Sequence, residues 1–410
     1  MRRDSVQALA LLAAGWALTL WVTPWSDERV NDLFVYRSFA DPFLAGGLPY
    51  RDLFFEYPPL AAPTIALPGV AGTGDEAFRV AFAVWTLLLA GAVVLLCGAL
   101  AELSGGERRR ALLAAALMPL LCGALLRTHF DVAPVAATLA GLWLVVAGRP
   151  RSGLAVLGAA VMLKGFPAVV VPVALAWLWG RGERRAAWQG GLSCLAVIAA
   201  VGAPALALSP GGAVDTVRYH LERPVQVESV PAVVLLVLDG AGAGEAVLVE
   251  SHRSNGLEHA AAPAIAALLA GALAAAVATL TLLAMRHGGG ADGARRLLLA
   301  SLAAVTAFAV LGKVLSPQFV IWVLPLGALA LAWRLPALAV AVACAALLTQ
   351  VEFPAHYADL VAREPAAVAL VATRDAVLLL VLALAGRELV PQRHEQLLNR
   401  RGSPVRAGLD

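Results

Sequence analysis

A group of carboxylates follows the first apolar segment of this chain, which is otherwise poor in charge. Asp32, Asp52 and Glu56 belong to this group and alternate with tyrosines, phenylalanines and prolines. A carboxylate costs about 2.5–3.5 kcal/mol at the centre of a membrane helix, so these acids are expected in an ordered loop at one membrane face. A carboxylate in a partly dry site can take a proton from an attacking hydroxyl. This loop is therefore the first candidate for catalytic chemistry.

Each acidic residue of the loop also has a structural interpretation. Asn31 and Asp32 are both good N-cap residues for a following helix, and spacing alone favours the cap over a general base for Asp32. Arg51, Asp52 and Glu56 lie among aromatic residues that could stack on sugar faces. The alternative is a structural turn in which Arg51 pairs with Asp52 or Glu56. The residues by themselves leave both interpretations open.

Cations in the apolar part of the chain are candidates for phosphate binding. Arg127 and Asp131 are four residues apart, and they either bind and orient a phosphate or form an ion pair that closes a helical hairpin. The residues alone favour the ion pair. Lys164 and Lys313 are the two lysines of the chain. A lysine at membrane depth is costly, so phosphate binding is favoured for Lys164 over a side chain that reaches back to the surface.

A polar run from 218 to 229 opens a second region rich in hydrogen-bonding groups. Its residues His220 and Arg223 could neutralise a leaving phosphate, and the alternative is a solvated surface helix. No Gly-rich phosphate loop, HExxH, CxxC or GxSxG motif occurs. We expect no metal and no cofactor. Nothing in the sequence resembles a nucleic-acid-binding surface.

The composition indicates which elements position these residues. Of 410 residues, 60% are hydrophobic and 14% are charged, against roughly 25% charged in soluble domains, so the sequence predicts an integral membrane protein. Because a spanning helix needs about 20 apolar residues, we predict an all-α protein with about twelve spans. They cover residues 5–25, 78–101, 111–126, 132–147, 153–163, 166–179, 188–208, 260–285, 297–312, 319–333, 336–351 and 367–386.

Charge predicts the orientation of these spans. Arginines concentrate in the segments that face the cytoplasm when the N-terminus is inside, as the positive-inside rule requires. Two long regions, 26–77 and 209–259, then lie outside, and the first contains an interface helix near residues 33–44. Residues 1–386 form one transmembrane domain, followed by a basic cytoplasmic tail at 387–410. The short segments on either side of Lys164 predict a polar cavity in the outer leaflet, roofed by both outer regions.

Several of these motifs occur together in one known family. They are Asn31-Asp32…Tyr36, the block from Pro49 to Leu60, Arg127…Asp131, Lys164-Gly165-Phe166-Pro167, the block from Tyr219 to Ser229, and Leu315-Ser316-Pro317-Gln318-Phe319. In this order the chain resembles the type C glycosyltransferases. It is most similar to glycosyltransferase family 87, the polyprenol-phosphate-mannose-dependent α-mannosyltransferases. The resemblance covers about residues 5–385, and the block from Tyr50 to Pro59 is its most specific part.

The resemblance implies a type C fold in the cell membrane, with catalysis at its extracytoplasmic face. The family's acidic base matches Asp32, with Asp52 and Glu56 as competitors. The donor would be a polyprenyl-phosphate sugar, and the acceptor a cell-envelope glycolipid or glycan. The expected substrate contacts are Tyr36, Arg51, Asp52, Glu56, Tyr57, Gln226, Glu228 and Gln318. The expected donor-phosphate contacts are Arg127, Asp131, Lys164, His220, Arg223 and Lys313.

The rival class is a polytopic transporter or flippase of lipids or small molecules. Transporters often contain repeated halves with charges near the bilayer midplane, whereas this sequence shows no repeat and gathers its charges at one face. The two classes differ in one structural expectation. An enzyme places Asp32 and Lys164 in one pocket, and a transporter places them on either side of a path through the protein.

Overall fold

The computed structural model describes residues 2–72, 74–290 and 292–390. Within these ranges the chain is mostly helical. The α-helices are α1 (Arg3–Trp21), α2 (Leu33–Leu44), α3 (Ala61–Ala66), α4 (Asp75–Leu103), α5 (Arg108–Ala116), α6 (Met118–Cys122), α7 (Leu125–Thr128), α8 (Val132–Val146), α9 (Pro150–Leu163), α10 (Val170–Gly180), α11 (Arg184–Leu208), α12 (Pro210–Glu222), α13 (Val230–Gly240), α14 (Ala262–His287), α15 (Gly293–Val310), α16 (Val320–Ala332), α17 (Pro336–Glu352), α18 (Tyr357–Val361) and α19 (Pro365–Leu389). Short 3-10 helices cover Leu67–Ala71, Phe166–Val169 and Pro317–Phe319.

Five helices in the described part of the chain are long and apolar enough to cross a membrane, by length and composition: α4, α11, α14, α15 and α19. In the most apolar stretch of α15, 78% of residues are buried, against 6% in α11 and in α14. The first therefore belongs to the protein core, and the other two present apolar side chains that need an apolar environment. Each predicted segment contains helix, but several helices are short, so a count of twelve spans stays a prediction.

The predicted segment 111–126 is not one helix. It is divided into α5, α6 and α7, with Gly123 between the last two at a φ of +53°. A Cβ atom at Gly123 would lie 2.1 Å from the side-chain oxygen of Gln350, so only glycine fits both the backbone and the space. This break turns α7 and its residue Arg127 away from the line of α6.

The first outer region, residues 26–77, contains a helix where one was expected, and its location at the membrane interface stays a prediction. Helix α2 buries Leu33, Tyr36, Phe39 and Ala40 against the protein and exposes Phe34. Its end coincides with the predicted glycines, since the chain leaves α2 through Gly46 at a φ of +91°. Helical spacing of the apolar residues was therefore a sufficient signal for this element.

The second outer region differs from the prediction, because it contains a small antiparallel sheet. Its strands are β1 (Val225–Gln226), β2 (Val247–Ser251) and β3 (Ser254–Glu258), in the order β1-β3-β2. The all-α expectation is corrected to a helical protein with this three-stranded sheet. Pairing of Ser251 with Ser254 leaves a two-residue turn between β2 and β3. The predicted basic tail lies almost wholly outside the described residues, which end at Val390 within its first residues.

Candidate active site

A cavity of 980 Å³ lies between the two outer regions and the helices below them. One part of its wall is apolar and includes Met162, Ile198, Leu206 and Leu273, from α9, α11 and α14. The rest is polar and includes residues from both outer regions. The volume is at the upper end of what ligand sites typically enclose. Asp32 and Lys164 both line this one cavity, as the enzyme hypothesis expects.

Asp32 faces the cavity with a partly exposed carboxylate. Within the described residues its side chain caps no helix N–H, and Asn31 accepts the hydrogen bond from the Leu33 amide instead, at 2.9 Å. The cap interpretation therefore applies to Asn31. The Tyr36 hydroxyl donates to Asp32 Oδ2 at 3.1 Å, and His129 Nε2 lies 3.4 Å from the same oxygen. The Asp32 side chain is 32% exposed, so a substrate hydroxyl can reach it.

Tyr36 was expected to contact substrate, but the structure places it outside the cavity lining. Its side chain is fully buried, and its ring stacks on Phe82 and meets Phe130 edge to face. Burial and the Asp32 carboxylate raise the pKa of Tyr36 well above its ordinary value. The phenol therefore keeps its proton and acts as a hydrogen-bond donor that orients Asp32.

Lys164 reaches the cavity already paired with a carboxylate. Its Nζ donates to Asp131 Oδ1 at 2.7 Å, and the Trp322 indole donates to the same oxygen at 2.6 Å. The ammonium also lies 4.9 Å from the centre of the Phe130 ring. Asp131 is fully buried and does not line the cavity, so it holds Lys164 rather than a ligand. The predicted ion pair between Arg127 and Asp131 is wrong.

Arg127 lies away from the cavity, in contrast to its expected role in phosphate binding. Its guanidinium forms an ion pair with Glu28 and donates to the Trp25 carbonyl at 3.0 Å and to Thr19 Oγ1 at 3.2 Å. The break before α7 directs this arginine toward the start of the first outer region. Arg127 therefore fastens that region to α1.

A second group of basic residues faces the cavity. This cation cluster consists of the cations Arg223 and Lys313 and the imidazoles of His220 and His252. Arg223 Nε donates to Ser254 Oγ at 3.2 Å, and Lys313 Nζ donates to the Leu221 carbonyl at 2.7 Å. In the part of the chain that the structure describes, neither cation forms an ion pair. Burial and the nearby Arg223 lower the pKa of Lys313, as expected where like charges crowd together.

The motif residues of the first outer region lie in two different places. Glu56 and Tyr57 line the cavity, and the Glu56 carbonyl lies 2.8 Å from His220 Nε2. Arg51 and Asp52 do not line it, because they pair with each other at 2.9 Å on an exposed turn. Arg51 holds the pKa of Asp52 below its ordinary value. The structural-turn interpretation therefore describes Arg51 and Asp52.

Gln226, Glu228 and Gln318 line the cavity as expected. Gln226 Nε2 donates to Glu228 Oε2 at 2.6 Å, and the Ser316 hydroxyl donates to Gln226 Oε1 at 3.1 Å. Both Gln226 and Glu228 are buried, and burial raises the pKa of Glu228 well above its ordinary value. This wall is fixed by its own hydrogen bonds.

Sequence reasoning missed two sets of residues near the site. His129, Arg253, Trp322 and Tyr357 line the cavity, and none of them was among the predicted site residues. Behind Glu228 lies the Arg374 group, which consists of Glu352, Arg374 and Asp375. Arg374 is fully buried and donates to the Glu228 carbonyl and to Asp375 Oδ1. An adjacent arginine and aspartate inside an apolar span was a signal that could have been used.

The fold and the cavity define a helical membrane protein with a polar, ligand-sized site. No protein-family model matches the chain, and no curated protein matches it. Among solved structures, an oligosaccharyltransferase from Archaeoglobus fulgidus matches with a TM-score of 0.40 and 14% identity, over 98% of this chain and 56% of that chain. The arabinosyltransferase EmbB from Mycobacterium smegmatis matches with a TM-score of 0.27 and 14% identity, over 94% and 44%. The chain spans about half the length of these proteins, and likenesses this weak carry no argument about its activity.

Proposed function

We propose that this protein is a membrane glycosyltransferase of the extracytoplasmic face. It transfers a hexose, with mannose the first choice, from a polyprenyl-phosphate sugar to a hydroxyl of a cell-envelope glycolipid or glycan. The observation that carries the proposal is the separation of charge in one cavity. Arg223 and Lys313 hydrogen-bond to neutral oxygens, Asp32 presents a partly exposed carboxylate, and one part of the wall is apolar.

The charge pattern supports one location for the donor phosphate. Lys164 and Arg127 are already neutralised by Asp131 and Glu28, so an added anion gains less there. Arg223 and Lys313 have neutral oxygen partners, and an anion between them would replace like-charge repulsion by attraction. The polyprenyl chain then lies along the apolar wall. Lys164 retains N–H groups for sugar hydroxyls, because an ammonium has three donors.

Transfer follows as a single displacement. Asp32 takes the proton of the acceptor hydroxyl, whose oxygen forms a bond to the anomeric carbon. The bond from that carbon to the phosphate oxygen breaks, and its electron pair leaves with the phosphate. The transition state has oxocarbenium character, and fixed cations stabilise the departing charge. One displacement inverts the centre, so a β-linked donor gives an α product.

The geometry narrows the choice of base. Asp52 is exposed, paired with Arg51 and outside the cavity lining, which counts against it. Glu56 lines the cavity but lies 3.5 Å from the Arg253 guanidinium. Asp32 is held by a neutral phenol and a histidine, so its carboxylate is the least compensated of the three acids. This comparison favours Asp32 as the base.

The test is sugar transfer by the full chain in membrane vesicles, with polyprenyl-phosphate mannose and polyprenyl-phosphate arabinose offered separately. The mass of the product identifies the sugar. We expect Asp32→Asn to lower transfer by about 10²–10⁴-fold, the usual contribution of a general base, with unchanged expression. Asp52→Asn is the matched control and keeps wild-type transfer. Full activity in Asp32→Asn would remove Asp32 as the base, and Glu56→Gln then tests the remaining acid.

A further inference from the structure

We propose that His252 is a catalytic residue that contacts the departing phosphate and becomes protonated as that phosphate leaves. This inference rests on the proposed function and goes beyond it, because it names the group that balances the second negative charge formed during transfer. In this proposal the imidazole is neutral before the phosphate departs. Against the polyprenyl phosphate product it is an imidazolium.

The first observation that supports the proposal is the backbone conformation at His252. His252 and Arg253 form the two-residue turn between β2 and β3, with φ values of +52° and +54°. Such turns favour glycine and asparagine, because other side chains are strained at positive φ. Two long side chains at these positions place an imidazole and a guanidinium at the tip of the hairpin. Strain of this kind points to a function for the side chains.

The surroundings of His252 are the second observation. The ring lies 4.7 Å from that of Tyr219, and its Nδ1 is 3.0 Å from the Ser251 hydroxyl. The charged and titratable groups that act on it are Arg223, Glu222, Lys313 and His220. The only acid among these four is exposed and lies beside Arg218. Burial and Arg223 lower the pKa of His252, which supports a neutral ring in the empty cavity.

The third argument for His252 is the charge balance of the reaction. The donor is a phosphodiester with one negative charge, and the leaving monoester acquires a second when the bond to the anomeric carbon breaks. This second negative charge forms beside cations that already balance the first negative charge. A nearby imidazole that accepts a proton from water balances it, and Asp32 later returns the acceptor's proton to water. In the product complex the acceptor's proton is therefore in effect on His252, and His252 releases it to water when the phosphate product leaves, which restores the starting state of the protein.

Arg253 is a positioning residue for this tip. Its guanidinium lies 3.5 Å from Glu56 Oε1 and 4.7 Å from the centre of the Phe39 ring. These contacts hold the hairpin of the second outer region against the first. The location of His252 over the cavity therefore depends on Arg253.

Binding of the product tests the inference without requiring transfer. The probe is undecaprenyl phosphate, titrated into the detergent-solubilised full chain between pH 6 and pH 8. Because bound phosphate favours the protonated ring, wild-type affinity relative to His252→Asn falls as pH rises, by up to about tenfold per pH unit. The ratio cancels the phosphate's own ionisation, which has a pKa near 6. Asparagine tolerates positive φ, so the turn is retained.

Two further variants make the result specific. His356→Gln is the matched control, since His356 is exposed, pairs with Asp359 at 2.8 Å and lies outside the cavity lining, and it keeps the wild-type pH dependence. His252→Gln repeats the test with a longer amide and behaves as His252→Asn does. If His252→Asn and His252→Gln keep the wild-type pH dependence, the inference is overturned.

The positioning role of Arg253 is tested with two substitutions and a matched control. Arg253→Gln weakens the pH dependence of binding, and Arg253→Lys restores it, because a cation again faces Glu56. Arg363→Gln is the control, since Arg363 has a φ of +61° and lies 3.4 Å from Asp239. It leaves the pH dependence unchanged. Equal effects of Arg253→Gln and Arg363→Gln would remove the positioning role.

The outcomes separate this inference from the proposed function. Undecaprenyl phosphate binding that depends on pH through His252, without transfer of any sugar, supports His252 and rejects the glycosyltransferase. Transfer with an unchanged pH profile in His252→Asn supports the enzyme and rejects His252. If both are correct, the transfer rate of the wild type falls at alkaline pH and that of His252→Asn does not.

Discussion

The cation cluster and the Arg374 group are both assemblies of charge in an apolar protein, but they differ in composition and exposure. The cluster faces an open cavity, and the hydrogen-bond partners of Arg223 and Lys313 are neutral oxygens. The Arg374 group is buried, and it surrounds one guanidinium with the carboxyl groups of Glu352 and Asp375. One assembly lacks its counter-charge, and the other contains it.

This difference indicates what each assembly is for. Like charges held together without a counter-ion weaken a fold unless a ligand brings the opposite charge. A buried arginine beside its own carboxyl groups needs no ligand, and removal of the arginine leaves those carboxyl groups uncompensated. Glu228 connects the two, because its carboxylate lines the cavity while its carbonyl is held by Arg374. The Arg374 group therefore supports the wall on which the ligand site is built.

Removing Arg374 should give the largest effect. We expect Arg374→Ala to lower the free energy of unfolding by about 3–5 kcal/mol, because buried carboxyl groups lose their cation. Thermal and denaturant unfolding in detergent measure this. Arg295→Ala is the control, since Arg295 is partly exposed and lies 3.3 Å from Glu388, and it should cost about 1 kcal/mol or less. Wild-type stability in Arg374→Ala would contradict a structural role for the group.

Neutralising one member of the cation cluster should lower activity and leave stability intact, which is the reverse of the effect expected for Arg374→Ala. We expect Arg223→Gln to lower sugar transfer by about 10²–10³-fold, the usual cost of losing one fixed donor to a developing charge. Its stability stays unchanged or rises, because repulsion with Lys313 is relieved. The control is Arg218→Gln on the same helix, whose arginine is 63% exposed. A variant that unfolds as easily as Arg374→Ala would show that the cluster serves the fold instead.

Sequence patterns within single segments predicted those parts of the site that a single segment forms. Helical spacing located α2, and the short apolar segments around Lys164 indicated a cavity, because a helix of that length cannot cross the membrane. Spacing alone favoured an N-cap for Asp32, and its candidacy as the base came from the family resemblance. Reasoning from the segment lengths brought Lys164 and Asp32 to one cavity, and the structure agrees.

Pairing between distant segments was not predictable from the sequence. Asp131 is 33 residues from Lys164, and Arg127 is 99 residues from Glu28, so no local spacing marks either pair. Local spacing instead suggested a pair between Arg127 and Asp131, but the helix is interrupted between them by extended backbone at His129, and each residue has another partner. The β2–β3 hairpin was missed because β3 contains serine, asparagine and glycine. Gly256 of β3 pairs with Val249 of β2 and packs closely against Pro224 beside β1.

Substitution of Glu352 should give the smallest effect, and it tests whether the Arg374 group balances its own charge. Its carboxyl group is fully buried, and within the described residues neither oxygen has a hydrogen-bond partner. Because Arg374 already pairs with Asp375, a second carboxylate adds more charge than one guanidinium can balance. We therefore expect Glu352→Gln to raise the free energy of unfolding by about 1 kcal/mol and to leave sugar transfer unchanged. Loss of stability on this substitution, measured by the same unfolding experiments, would mean that Arg374 requires both acids.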